Sequence, residues 1–122
     1  ETMQACVDGD VRQAMPRWSN QHCVCVVLCA KGYPGPYAKG AEITGIDEAE
    51  REDGVVVYQA GTEREIDGSV RACGGRVLGV SARAPSLDLA IDKAYAAVRK
   101  VQFEGGYYRT DIAAKAASLK SV

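Results

Sequence analysis

The sequence has little of what most catalytic sites are built from. It contains one histidine (His22), one tryptophan (Trp18), one phenylalanine (Phe103) and two methionines in 122 residues. A single imidazole, with no serine in a G-x-S-x-G elbow, leaves no serine–histidine nucleophile pair. Neither G-x-G-x-x-G nor G-x-x-x-x-G-K-[ST] occurs, so the usual glycine-rich phosphate loops are missing. An excess of charge is missing too. Fifteen Lys and Arg stand against 16 Asp and Glu, and a net charge of −1 gives no long-range attraction to nucleic acid or an anionic membrane. No apolar run approaches the roughly 20 residues of a membrane-spanning helix. No secretory leader pattern opens the sequence, and a cytoplasmic chain is expected.

Five cysteines (Cys6, Cys23, Cys25, Cys29, Cys73) are an odd number, so they cannot form a complete disulfide framework. Cys23, Cys25 and Cys29 share parity in a strand-like run, and cysteines two apart on one strand make poor disulfide geometry. Free, buried thiols in a reducing compartment are the expected state. A metal site from Cys23, Cys25, Cys29 and His22 is the competing reading. Its C-x-C-x3-C spacing lacks the CxxC knuckle, and His22 would face the other way.

What is present reads as one α+β domain with an ordinary apolar content of 47%. Residues 1–15 carry apolar side chains at helical intervals; Gly9 interrupts them, Asp8-Gly9 reads equally as a turn, and Pro16 is the expected end. Trp18 is expected to anchor the core edge. Residues 23–30 are apolar on both faces and predict a central strand. The acidic run 47–53 predicts a solvated turn or one helical turn, and offers no evident magnesium site. Residues 55–58 form a β-branched strand, closed by Ala60-Gly61-Thr62. Asp67-Gly68 predicts a type I′ hairpin between 64–66 and 69–72. Gly74-Gly75 forces a bend into a strand over 76–82, with Leu78 and Val80 on one face and Val77, Gly79 and Ser81 on the other. The strongest helix is 87–101, capped by Ser86, with Leu87, Ile91, Ala94, Tyr95, Val98 and Val101 as its apolar stripe. Residues 113–119 predict a last helix.

Residues 31–46, KGYPGPYAKGAEITGI, combine four glycines, two prolines, two tyrosines and two lysines after the most apolar run. Proline fixes its own φ and restricts its predecessor, so Tyr33-Pro34 and Gly35-Pro36 are preset bends in a stiff, basic, aromatic loop. Such loops commonly carry binding surfaces. Arg76 and Arg109 are suited to a phosphate or carboxylate through the guanidinium fork. A salt bridge is the competing role, with Asp111 beside Arg109 as partner.

Four motifs resemble one family in order and spacing. They are Gly32-Tyr33-Pro34-Gly35 with Tyr37, Lys39-Gly40 and Ile43; Val56 to Thr62 (VVYQAGT); Gly74 to Val80 (GGRVLGV); and Phe103-Glu104-Gly105 followed by Tyr108-Arg109 and Asp111-Ile112. Together they resemble the C-terminal domain of phosphoribosylamine–glycine ligase (glycinamide ribonucleotide synthetase), of the ATP-grasp superfamily. Gln59 departs from the family's usual histidine, and Ala113 from a common glycine.

The resemblance implies a small, mostly antiparallel sheet with one main packed helix, the rudiment-single-hybrid-like C-terminal domain of an ATP-grasp enzyme. It implies residues 1–20 as the lead-in from a missing ATP-grasp core and 21–122 as the domain. Glu1, in place of Met, fits a piece of something longer. The implied enzyme condenses glycine with 5-phosphoribosylamine, using ATP and magnesium or manganese, through a glycyl phosphate. It releases ADP and phosphate in purine biosynthesis. The family's ATP-grasp domains and metal carboxylates lie upstream, so the chain alone is expected to be inactive, with no catalytic residue and no metal ligand of its own. Tyr33, Pro34, Gly35, Lys39, Gly40, Gly74, Gly75 and Arg76 are the expected substrate wall. Phe103, Tyr108, Arg109 and Asp111 are the expected structural motif. The alternative is a stand-alone binding module without enzymatic activity.

Overall fold

Four antiparallel strands form the main sheet of the computed structural model, which describes residues 1–118, the side chain of Gln13 aside. The strands are β1 (His22–Ala30), β3 (Val55–Gln59), β6 (Arg76–Ala84) and β7 (Gly106–Tyr107), in the spatial order β3-β6-β1-β7. A smaller sheet has β2 (Glu42–Ile43), β4 (Thr62–Arg64) and β5 (Val70–Ala72) in the order β2-β5-β4. Among the described residues the helices are α1 (Thr2–Asp8), α2 (Ile46–Glu50), α3 (Leu87–Val98) and α4 (Ala114–Ser118). The α+β class with one main packed helix is thus observed. No helix is long and apolar enough to cross a membrane among the described residues.

Alternation decides which face of the main sheet is covered. Val24, Val26 and Leu28 of β1, Leu78, Val80 and Ala82 of β6, and Val55 and Val57 of β3 are all buried. Over them lies α3, through Ala90, Ala94, Ala97 and Val98. Alanines at the contact let the helix sit close to the sheet, and Ser86 Oγ accepts from Leu89 N to start it. The expected stripe is therefore shifted: Ile91 and Tyr95 are only half-buried. The helix also ends three residues early. Arg99 caps it, and Lys100 and Val101 continue in tight turns to the carbonyls of Ala97 and Val98.

Five further sequence expectations are corrected. The strand β1 is central but covered on one face only, because Cys23, Cys25 and Val27 point to the open side. Val77 lies in the core at 0% exposure. The register passes from Leu28↔Leu78 to Cys29↔Arg76, so Val77 is the extra residue of a bulge and turns inward. The β4–β5 hairpin pairs Arg64 with Val70, and only Gly68 of its loop has positive φ. A type I′ turn needs positive φ at both central residues, so this is a type I turn followed by a left-handed glycine. Asp67 braces it: hydrogen bonding with Ser69 holds its carboxyl below the usual range. Helix α1 ends at the left-handed Gly9, not at Pro16, and a 3-10 turn (Val11–Gln13) follows. Trp18 is 89% exposed and anchors no core, since residues 14–20 form no element that packs on the sheet.

The acidic run forms the single turn α2, and Glu50 Oε1 accepts from Val57 N, covering a donor on the edge strand β3. Of the predicted 113–119 helix, Leu119 lies outside the described residues. Ala113 holds φ 65 just before α4. A left-handed alanine costs about 1 kcal/mol. Ala113→Gly is expected to raise the thermal midpoint, and an unchanged or lower midpoint would show the strain is absent.

Candidate functional site

Three of the sequence motifs meet at one end of the main sheet. The loop after β1 closes back through Tyr33 N to Ala30 O (3.1 Å) and contains a cis Tyr33-Pro34 peptide. Its Gly32 has φ 101, a conformation that favours glycine. The Tyr33 ring then packs against Gly75, where a Cβ would clash with the ring's Cδ2 and Cε2. Ala30 N donates to Gly75 O at 2.8 Å, tying the loop and the bend together.

On the other side of the bend, Gly61 meets Gly74. A Cβ on Gly61 would stand 2.5 Å from Arg76 O and 2.7 Å from Gly74 Cα. Reciprocal hydrogen bonds close this contact: Gly61 N donates to Arg76 O (2.9 Å), while Cys73 N (2.9 Å) and Gly74 N (3.1 Å) donate to Gly61 O. The bend that launches β6 is thus gripped between the Tyr33 loop and the end of β3.

The result is an open concavity of about 550 Å³, walled by Tyr33, Tyr58, Gly61 and Gly75, with Arg76 at its rim and Gly79 in its floor. Arg76 is exposed, and its guanidinium has no hydrogen-bond or ion-pair partner among the described residues. Cys29 is its neighbour in the β1–β6 register. Burial raises that thiol's pKa, with Arg76 pulling the other way. A solvated guanidinium without a partner can hold a phosphate or carboxylate through two parallel N–H bonds.

The phosphoribosylglycinamide synthetase C-domain family matches residues 23–115. The chain belongs to that family. Phosphoribosylamine–glycine ligase of Phenylobacterium zucineum is 49% identical over 88% of this chain and 26% of that protein. The Arabidopsis thaliana protein, named as the chloroplastic ligase, is 40% identical over 100% of this chain and 23% of its own length. The crystal structure of phosphoribosylamine–glycine ligase from Thermotoga maritima superposes with a TM-score of 0.73 at 34% identity, over 90% of this chain and 26% of that one. The chain spans about a quarter of the length of these three proteins.

Within this C-domain the expected wall residues divide. Tyr33, Gly75 and Arg76 line the concavity, Gly74 supports it from behind, and Pro34 and Gly35 form the turn that carries Tyr33. Lys39 and Gly40 line a separate hollow of about 470 Å³ with Lys31, Phe103 and Glu104. Lys39 Nζ stands 6.0 Å from the Tyr37 ring centre. Tyr58, Ala60 and Gly61 belong to the concavity but were not expected there. The A-G-T motif pointed to them, yet nothing local showed which bend Gly61 would touch.

The terminal motif holds the tail. Arg109 grips Asp111 with two bonds, Nε to Oδ1 (2.9 Å) and Nη2 to Oδ2 (2.6 Å). Tyr95 of α3 donates its hydroxyl to Arg109 O (2.7 Å) and accepts from Ile112 N (3.1 Å), a role beyond the core packing expected of it. Tyr108 packs beside it, ring centres 6.1 Å apart, and Phe103 is half-buried. The Arg109 bonds hold the Asp111 carboxyl below its ordinary pKa. A depressed carboxylate contributes stability that is complete above the unfolded pKa and is lost as pH falls through the folded one. The wild-type advantage over Asp111→Asn is therefore expected at neutral pH and should vanish in acid. An advantage independent of pH would contradict the pairing.

The thiols Cys23, Cys25 and Cys29 do not converge with His22. Among the described residues no three His, Cys, Asp or Glu side chains are placed to hold a metal ion.

Proposed function

We propose that this chain is the C-terminal domain of a longer phosphoribosylamine–glycine ligase, where it forms one wall of the active-site cleft. The observation that carries this reading is Arg76: a guanidinium without a partner among the described residues, on a bend locked by Tyr33 and Gly61, at the rim of an open concavity. The phosphate of 5-phosphoribosylamine is the anion it holds. Residues 1–20, in which α1 buries no side chain, are the lead-in from the rest of the polypeptide.

The whole enzyme joins glycine to 5-phosphoribosylamine. ATP phosphorylates the glycine carboxylate, the ribosylamine nitrogen attacks the acyl carbon, and phosphate leaves. ATP and its magnesium are held by polypeptide outside this chain; among the described residues no three His, Cys, Asp or Glu side chains are grouped to hold a metal ion. Cytoplasmic placement belongs to the same reading. The longer polypeptide, assayed with ATP and magnesium, should release ADP only when glycine and phosphoribosylamine are both present. ADP release that ignores either substrate, or none at all, would overturn the assignment.

A further inference from the structure

Gly79 is the one residue of β6 whose glycine this chain does not itself require. Its φ lies outside the left-handed region, and a Cβ there would meet only Cys25 Sγ at 3.4 Å and Tyr58 Cβ at 3.9 Å, ordinary contacts. A glycine inside a strand is destabilising relative to alanine. Contrast Gly61, where a Cβ would strike backbone. A mid-strand glycine without an internal reason commonly marks the close approach of another group.

The neighbours of Gly79 define what approaches. In register it faces Val27 on one side and Tyr58 on the other. Its missing side chain thus leaves a slot between an aliphatic and an aromatic wall, on the face of the sheet that α3 does not cover. Val27 and Val56 (42% each) and Tyr58 (60%) are exposed there, as are the thiols of Cys23 and Cys25. The centre of this face carries no charge, and Arg83 stands at one end, opposite Cys23. Apolar side chains gathered on one open sheet face are an unfinished interface.

We infer that the slot over Gly79 receives an apolar side chain from the polypeptide that, in a longer ligase, lies outside this chain. This rests on the reading of the chain as part of such a ligase. The occupant is set by three observations. The relatives extend to about four times the matched length. The face runs without a break into the open Tyr33–Arg76 concavity, which Val27, Tyr58 and Gly79 also line. The face is neutral, with a cation at its end, and so suits an apolar segment flanked by an acidic residue. Docking there would complete the cleft.

Alkylation of the full-length polypeptide tests it. Cys23 and Cys25 should react with iodoacetamide at least tenfold more slowly in the native protein than in urea, at any protein concentration. Gly79→Val, which fills the slot, should return Cys23 to the fast rate. Cys23 is the better reporter, because the new side chain would itself crowd Cys25. If Gly79→Val does not fold, Gly79→Ala should give an intermediate rate. Fast labelling of the native protein would overturn the inference. So would protection that disappears on dilution, which would indicate a second copy, or protection unchanged by filling the slot. ADP release, scored separately on the wild type, reports on the ligase reading itself.

Discussion

Gly61→Ala in the longer polypeptide is expected to cost about 3 kcal/mol of stability and to remove most of the activity with it. The methyl would stand 2.5 Å from Arg76 O and 2.7 Å from Gly74 Cα, both backbone atoms with no rotamer to escape into. Relief requires the end of β3 to part from the bend. That breaks the bonds from Gly61 N to Arg76 O and from Cys73 N and Gly74 N to Gly61 O. Each is worth about 1 kcal/mol. The same movement carries Arg76 away from Tyr33. A urea titration measures the first effect and turnover the second. A Gly61→Ala protein with the parent's midpoint and turnover would show that the bend is not gripped in this way.

Arg76→Ala should behave in the opposite manner, leaving stability within about 0.5 kcal/mol while lowering kcat/KM for phosphoribosylamine. Its side chain is exposed and has no partner among the described residues, so little of the fold depends on it. A hydrogen-bonded charge is worth about 1.5–3 kcal/mol, which converts to a loss of roughly ten- to a hundredfold in kcat/KM. Arg76→Lys should recover only part, because an ammonium keeps the charge without the planar fork. Saturation curves for each substrate separate the cases: the ribosylamine curve moves and the glycine and ATP curves do not. Unchanged kinetics would remove Arg76 from the site.

Much of this fold is legible in the sequence where a residue's fate depends on its neighbours in the chain. The β-branched run at 55–58 forms a strand, and Ser86 marks the start of α3, as found. The misreadings share a tertiary cause. Val77 is buried because β1 and β6 slip by one residue, which no pattern within β6 encodes. Apolar content on both sides of β1 looked like two covered faces, although thiols and Val27 are left on an open one. Trp18 has the composition of a core residue but no element carries it to the sheet. In the site, the motifs supplied Tyr33, Gly75 and Arg76, whereas the role of Gly61 depends on Gly74 arriving opposite it. Lys39 lies in the same loop as Tyr33 but lines another hollow, because the turn at Gly32–Pro36 and the left-handed Gly40 redirect the chain.

The most direct test of the wall is a chemical footprint of Arg76. The longer polypeptide would be treated with phenylglyoxal, with and without saturating glycinamide ribonucleotide, and the modified arginines mapped by mass spectrometry. Arg76 should react readily in the free protein and at least tenfold more slowly with the nucleotide bound, while Arg109, already held by Asp111, should be unaffected by it. Equal modification of Arg76 in both samples would contradict its place at the substrate.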